Sequence, residues 1–274
     1  MRCDRSRPGL RRLLALLLYS ACALAAPVPV GALDTASQLA ALYEAQVDHR
    51  LEVPEEDQRF YAARLAAALF EAGLYGLPAE YFVLVDRDPH VQAVMIYWLS
   101  PVGGFEFIGA SPCSTGRPGQ YEHFYTPTGV FEHTIANLDF RAEGTRNAQG
   151  IRGYGIKGMR VYDFGWVQGE RGWGRQAQSS MRLQMHSTDP DLLEPRLGLP
   201  HSKGCMRIPT TLNRFLDRYG ILDADYERAL TEGKTFWVLR PDREPTPWSG
   251  RYLVVIDSER SERPEWASPP SRRR

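Results

Sequence analysis

The stretch HSKGCMR, residues 201–207, sets a cysteine between a glycine and nearby cations. A thiol attacks carbonyls well only once it has lost its proton, so a catalytic cysteine needs a base and a positive surrounding. His186, at the end of the strand-like MRLQMHS, is the base that a fold can bring to Cys205. Gly204 lets the backbone approach a substrate closely, so the amides of Gly204 and Cys205 are candidates to hold a developing oxyanion. Lys203 and Arg207 add positive potential, and the expectation is a thiolate at Cys205. In an extended segment Arg207 projects to the same side as Cys205, where it holds either a substrate carboxylate or a structural acid.

The competing reading is a disulfide. Four cysteines occur, of which Cys3 and Cys22 lie in the first 26 residues, leaving Cys113 and Cys205. In an oxidising compartment two such cysteines are expected to pair, but pairing consumes the nucleophile. Cys113, in ASPCSTG, has no base or cation pattern around it and reads as a small, half-buried residue.

Other motifs carry less. GYGIKG, residues 153–158, matches G-x-G-x-x-G, yet no strand leads into it and no helix opens from it, so it reads as a loop. There is no C-x-x-C and no H-E-x-x-H, and a metal on His186, His201 and Cys205 is the weaker reading of those residues; no metal or cofactor is expected. His49, His90, His123 and His133 read as surface or structural. Trp166 and Trp173 form either an aromatic wall for a ligand or packing of a glycine-rich stretch.

The elements that must position these groups follow from periodicity. Residues 34–77 read as a helical extension: QLAALYEAQV and EEDQRFYAARLAAALFEAGL place apolar residues at helical spacing. From residue 78 the chain turns to strands. YFVLVD, QAVMIYWLS and FEFIGASP form a meander; a short strand is expected around Val130, and MRVYDFGWV and MRLQMHS are further strands. After Cys205 come helices in TTLNRFLDRYG, capped by Thr210 or Thr211, and in ADYERALTEG, then strands in KTFWVLRP and RYLVVIDSE. Residues 78–258 are thus the main domain, and the polar, proline-rich residues 259–274 read as a disordered tail.

Residues 1–26 combine five arginines with LLALLLYSACALAA and read as a secretory signal peptide. The apolar run is shorter than the roughly 20 residues a spanning helix needs, so an uncleaved leader offers only transient membrane association. The whole chain carries 33 basic and 33 acidic residues, and removing the leader leaves a formal charge of about −4. Such a chain has no basic stripe for phosphates, which argues against a nucleic-acid role. With such a leader the chain is expected to be exported.

Two quoted blocks carry a resemblance. MHSTDPDLLEPRLGLPHSKGCMRIP is similar to the signature of the L,D-transpeptidases (YkuD-type catalytic domains): a histidine-led segment followed by Ser/Thr-X-Gly-Cys-hydrophobic-Arg. STGRPGQYEHFYTPTGVF resembles the family's Ser-Thr-Gly … Thr-Pro-Thr-Gly stretch, and YFVLVDRDPHVQAVMIYWL its opening strands. The ordered set spans roughly residues 80–240.

The resemblance implies a mainly β fold with peripheral helices, a sandwich of two mixed β-sheets preceded here by the helical extension. It makes Cys205 the nucleophile and His186 the general base. Ser187 then orients the imidazole through its carbonyl, Gly204 and Cys205 supply oxyanion amides, Ser202 supports the turn, and Arg207 lies by the substrate. The implied reaction is acyl transfer on peptidoglycan stem peptides: Cys205 takes the acyl group of a tetrapeptide, releases D-alanine, and passes it to an amine as a 3→3 cross-link. The place this implies for an exported chain is the periplasm or cell wall. One departure stands out. Lys203 occupies the position where the family most often has histidine; His201 is either a loop histidine, the stronger reading, or an out-of-register substitute. A hydrolase on the same scaffold (a carboxypeptidase or an amidase) and a non-catalytic wall-binding protein are the rival readings.

Overall fold

The computed structural model describes Met1, residues 36–175 and residues 177–267. The leader expected over residues 1–26 falls, apart from Met1, outside the described residues. Among these, no helix is long and apolar enough to cross a membrane.

Two helices come first, α1 (Ala36–Gln46) and α2 (Glu55–Glu71), then β1 (Glu80–Asp86), β2 (Ala93–Leu99) and β3 (Phe105–Pro112). β4 (Gly129–Glu132), β5 (Phe140–Arg141), β6 (Arg160–Glu170), β7 (Gln178–Ser187) and β8 (Met206–Ile208) follow. α3 (Thr210–Tyr219), α4 (Ala224–Thr231) and β9 (Tyr252–Ile256) complete the order. The strands form two mixed sheets, β3-β2-β1-β9-β4 and β5-β6-β7-β8. β1 pairs parallel with β9, and β7 parallel with β8; the other pairings are antiparallel. The fold is mainly β with a few helices.

β1 is buried along its whole length because both faces of its sheet are covered. On one face, Tyr81, Val83 and Val85 share a core with Tyr162, Leu183, Met185, Met206 and Ile208 of the other sheet. Leu39 and Tyr43 of α1 and Leu212, Phe215 and Leu216 of α3 join that core. On the other face, Phe82, Leu84 and Tyr97 pack against Tyr61, Leu65 and Leu69 of α2. The helical extension therefore braces the sheet, and burying its apolar stripe supplies most of its helical stability.

Three expectations need correction. Residues 234–241 (KTFWVLRP) form no strand: the Val238 carbonyl accepts from the Arg141 guanidinium, where a ladder would need a neighbouring strand. Neither threonine caps α3. Pro209 is the N-cap and makes no side-chain cap; instead the buried Glu194 carboxylate accepts from the Thr210 amide (3.2 Å) and hydroxyl (2.7 Å). A negative group there also meets the positive end of the helix. Finally, the tail expected to be disordered is packed as far as Ala267. Trp266 donates to Asp57 (2.6 Å) and sets its ring against Tyr61 (6.0 Å), while Arg260 pairs with Asp57. The aromatic anchor overrides the polar composition around it; residues 268–274 lie outside the described residues.

Candidate active site

β8 is a three-residue strand held on both sides. Toward β7 the register pairs Met185 with Met206, His186 with Arg207 and Ser187 with Ile208. On its other side Ser114 and Arg207 exchange both backbone hydrogen bonds, each 2.9 Å. Met206 and Ile208 enter the core, so the alternation of a strand sends Arg207 to the opposite face with His186. Cys205 immediately precedes β8 and is half-buried on that face, where the Gln184 amide and the Arg207 guanidinium both act on its sulfur.

The turn carrying Cys205 is strapped by residues 113–126. The amides of His201 and Ser202 donate to the Thr115 carbonyl, Arg117 to Ser202, and Phe124 to Lys203. The Thr126 hydroxyl donates to the Gly204 carbonyl (2.8 Å) and accepts from the Gly116 amide (2.8 Å). Gly204 has φ +132°, and a side chain there would press on Met181 (2.7 Å); one at Gly116 would overlap the Phe124 carbonyl at 1.9 Å. Only glycine fits either position. The STG and TPTG blocks therefore act mechanically, as the strap of the cysteine turn.

Inside the turn, the Ser202 hydroxyl donates to the Cys205 carbonyl (2.5 Å) and accepts from the Gly204 amide (3.0 Å). This corrects one expectation: the Gly204 amide is already spent and is not free for an oxyanion. Lys203 is a second correction. Its ammonium is exposed and pairs with Glu122 at 3.3 Å, so Arg207 is the cation acting on the sulfur. Arg207 donates to the His201 carbonyl (2.7 Å), makes no ion pair among the described residues, and keeps a buried Nε without a partner. The structural-acid role for Arg207 thus finds no acid.

His186 is buried, and its Nδ1 lies 2.6 Å from the Ser187 carbonyl oxygen. A carbonyl only accepts, so Nδ1 carries the proton and Nε2 offers its lone pair. Ser187 is held in turn by its hydroxyl contact to Thr210 (3.1 Å). No hydrogen bond joins His186 to Cys205 among the described residues; the two are diagonal neighbours on one sheet face. Catalytic contacts of a free enzyme are often open and tighten with substrate.

Sequence reasoning missed three residues here. Tyr154, inside the loop of residues 153–158, sets its ring edge-on to the His186 imidazole at 4.7 Å. Its hydroxyl donates to Gln184 Oε1 (3.1 Å), and Gln184 donates to Asp163 (2.9 Å), which also binds Arg182 (2.7 Å). The alternation in MRLQMHS places Gln184 on the face of His186 and was the available signal. Nothing in a single sequence marks Tyr154.

Burial dominates the protonation states. It pushes the Cys205 thiol up to about 11, against the opposing pull of Arg207 and the Gln184 amide. It pushes the His186 imidazole down to about 4, with Arg207 adding to the effect. Burial thus favours a neutral thiol and a neutral imidazole at rest, against the standing thiolate that the neighbouring cations led one to expect. Cys113 is a fully buried free thiol, and Cys205 is also free, so no disulfide consumes the sulfur. Alkylation of Cys205 by iodoacetamide at pH 8 should run about 100-fold slower than at an exposed cysteine and climb about tenfold per pH unit. Peptide mapping reads the rate; a rate already flat from pH 6 upward would mean a thiolate–imidazolium pair instead.

The metal-like grouping found among the described residues, Asp48, His49 and Glu194, includes neither Cys205 nor His186. Trp166 is exposed on β6 with the Arg182 guanidinium over its ring, and Trp173 packs against Tyr121 and Phe124. No protein-family model matches the chain, and no curated protein matches it in sequence.

Proposed function

We propose that this chain is a cysteine-dependent acyltransferase of the L,D-transpeptidase kind, acting on peptidoglycan stem peptides outside the cytoplasm. The observation that carries the reading is the setting of Cys205: it stands at the head of β8 beside a buried His186 whose Nδ1 is tied to Ser187, with the unpaired Arg207 on the same face. The L,D-transpeptidase form of the two-sheet fold belongs to this proposal, and so does export by the leader.

The chemistry follows from neutral partners. Nε2 of His186 takes the thiol proton as the sulfur attacks the carbonyl carbon of the third stem residue. The oxyanion that forms needs a donor. With Gly204 occupied, the Cys205 amide is the backbone candidate. The imidazolium returns its proton to the departing nitrogen, the carbon–nitrogen bond breaks, and D-alanine leaves a thioester on Cys205. An acceptor amine then attacks the thioester; His186 takes the amine proton and hands it to the departing sulfur. Arg207, cationic and lacking an acid, suits a stem carboxylate. Tyr154, edge-on to the imidazole at 4.7 Å, helps to hold the ring in place.

The test is product analysis with disaccharide-tetrapeptide, comparing the mature protein with Cys205→Ala. Cross-linked dimer from the parent and none from the variant is the expected result. Disaccharide-tripeptide alone would assign a hydrolase, and binding without turnover a wall-binding protein.

A further inference from the structure

An aromatic surface adjoins the cysteine turn and has no role in the chemistry above. Phe124 is the joint: its amide donates to the Lys203 carbonyl (3.1 Å), and its Cβ stands 3.2 Å from where a Gly204 side chain would begin. Trp173 meets Phe124 edge-to-face at 4.9 Å and Tyr121 at 5.7 Å, and the Arg171 guanidinium lies 5.7 Å from its ring centre. The indole is thus fixed by three neighbours while still partly exposed, and Tyr121 is 75% exposed. Beside them runs an open groove of about 520 Å³, lined by Tyr121, Trp173, Gln120, Arg175 and three glycines. Side chains at Gly119 and Gly174 would meet nothing within 4 Å, so the space beside these glycines is open.

This shape suits a particular ligand chemistry. A deep apolar pocket would take an aliphatic side chain or a drug-like molecule. An open trough with fixed aromatic rings and planar polar groups at its rim instead matches a pyranose, whose C–H face stacks on a ring while its equatorial hydroxyls and amide meet Gln120 and Arg175. The groove also adjoins the cysteine turn through Phe124. In a stem peptide attacked at its third residue, three residues and the linking acyl group lie between the reacting carbonyl and the sugar, roughly 14 Å when extended. Phe124 spans the step from the cysteine turn to Trp173.

We propose that Tyr121 and Trp173 form a sugar-binding platform that seats the glycan strand carrying the donor stem. The proposal deepens the acyl-transfer reading and rests on it for the identity of the sugar. Two probes keep the two ideas apart: a peptide-free β-1,4-linked N-acetylglucosamine tetramer, followed by tryptophan fluorescence and saturation-transfer NMR, and turnover of disaccharide-tetrapeptide against free tetrapeptide. In Trp173→Ala and Tyr121→Ala, KM for the disaccharide substrate should rise about tenfold or more. kcat/KM for free tetrapeptide should hold, tetramer binding should disappear, and Trp173→Phe should restore part of it. Equal losses on both substrates would overturn the proposal, as would unchanged KM or no tetramer binding by the parent. Tetramer binding that depends on Trp173 in a protein without turnover of either substrate would uphold the platform and sink the acyl-transfer reading.

Discussion

Replacing His186 by glutamine is expected to slow thioester formation by about 10²- to 10⁴-fold, the usual worth of a positioned general base. The argument rests on the neutral resting pair. Cys205, pushed up to about 11, holds almost no thiolate at neutral pH, and His186, pushed down to about 4, is free to accept its proton. In the parent enzyme the rate is therefore set by proton transfer during attack, and kcat/KM for acylation should be flat between pH 6 and 9. In His186→Gln the sulfur reacts only as preformed thiolate, so the logarithm of the rate should climb with a slope of about one. The pH profile separates loss of a base from loss of structure, since a merely misfolded variant would lose rate at every pH alike. A His186→Gln profile as flat as the parent's would remove His186 from the chemistry.

The second large effect lies beneath the site. Arg160 is fully buried in β6 and binds Asp223 (2.7 Å), Asp139 (2.7 Å) and Asp217 (3.3 Å). His133 donates to Asp139 from the other side (2.8 Å), and Arg243 binds Asp223 (2.8 Å). Arg160→Met strips the cation the three carboxylates share and leaves Asp139 to His133, Asp223 to Arg243 and Asp217 to Arg141, a loss of about 3 kcal/mol in unfolding free energy, the low end for breaking a buried ion pair. Urea denaturation should report it as a lower midpoint with unchanged slope; a change below about 1 kcal/mol would show that water enters the cluster. The strand carries the damage to the site, because the next residue, Val161, pairs with His186.

The network also sets a pH dependence. Burial raises the Asp139 carboxyl, but His133 and Arg160 overcome this and hold it below its ordinary value. Its stabilising contribution is present above the unfolded value of 3.8 and is lost as pH falls through the lower folded one. His186 adds to the acid limb: between about 6.5 and 4 the unfolded chain binds the proton that the folded chain refuses, so stability drops with pH there. His133 runs the opposite way. Burial lowers it, Asp139 more than reverses that, and its contribution is complete below 6.5 and fades as pH rises through the raised value.

What the sequence disclosed follows from what is local. YFVLVD, QAVMIYWLS and FEFIGASP declare the meander because β-branched and aromatic residues alternate with turn chemistry, and α2 shows its stripe at helical spacing. The meeting of His186 with the cysteine turn was legible from residue types and motif order. The rest depends on contacts far apart in the chain. That Ser202 spends the Gly204 amide, that Lys203 turns outward to Glu122, and that residues 113–126 strap the turn are facts of tertiary geometry. Arg160 with its three aspartates is scattered over some eighty residues and leaves no spacing to read. The neutral thiol was invisible for a simpler reason: neighbouring cations can be counted in a sequence, while desolvation cannot, and here desolvation wins.

The most direct measurement is the intact mass of the protein after brief reaction with excess disaccharide-tetrapeptide and an acid quench. The account predicts a covalent adduct equal to the substrate less one alanine, mapped to Cys205 and released by hydroxylamine as a thioester should be. Turnover that persists in Cys205→Ala, or an adduct on any other residue, would contradict it.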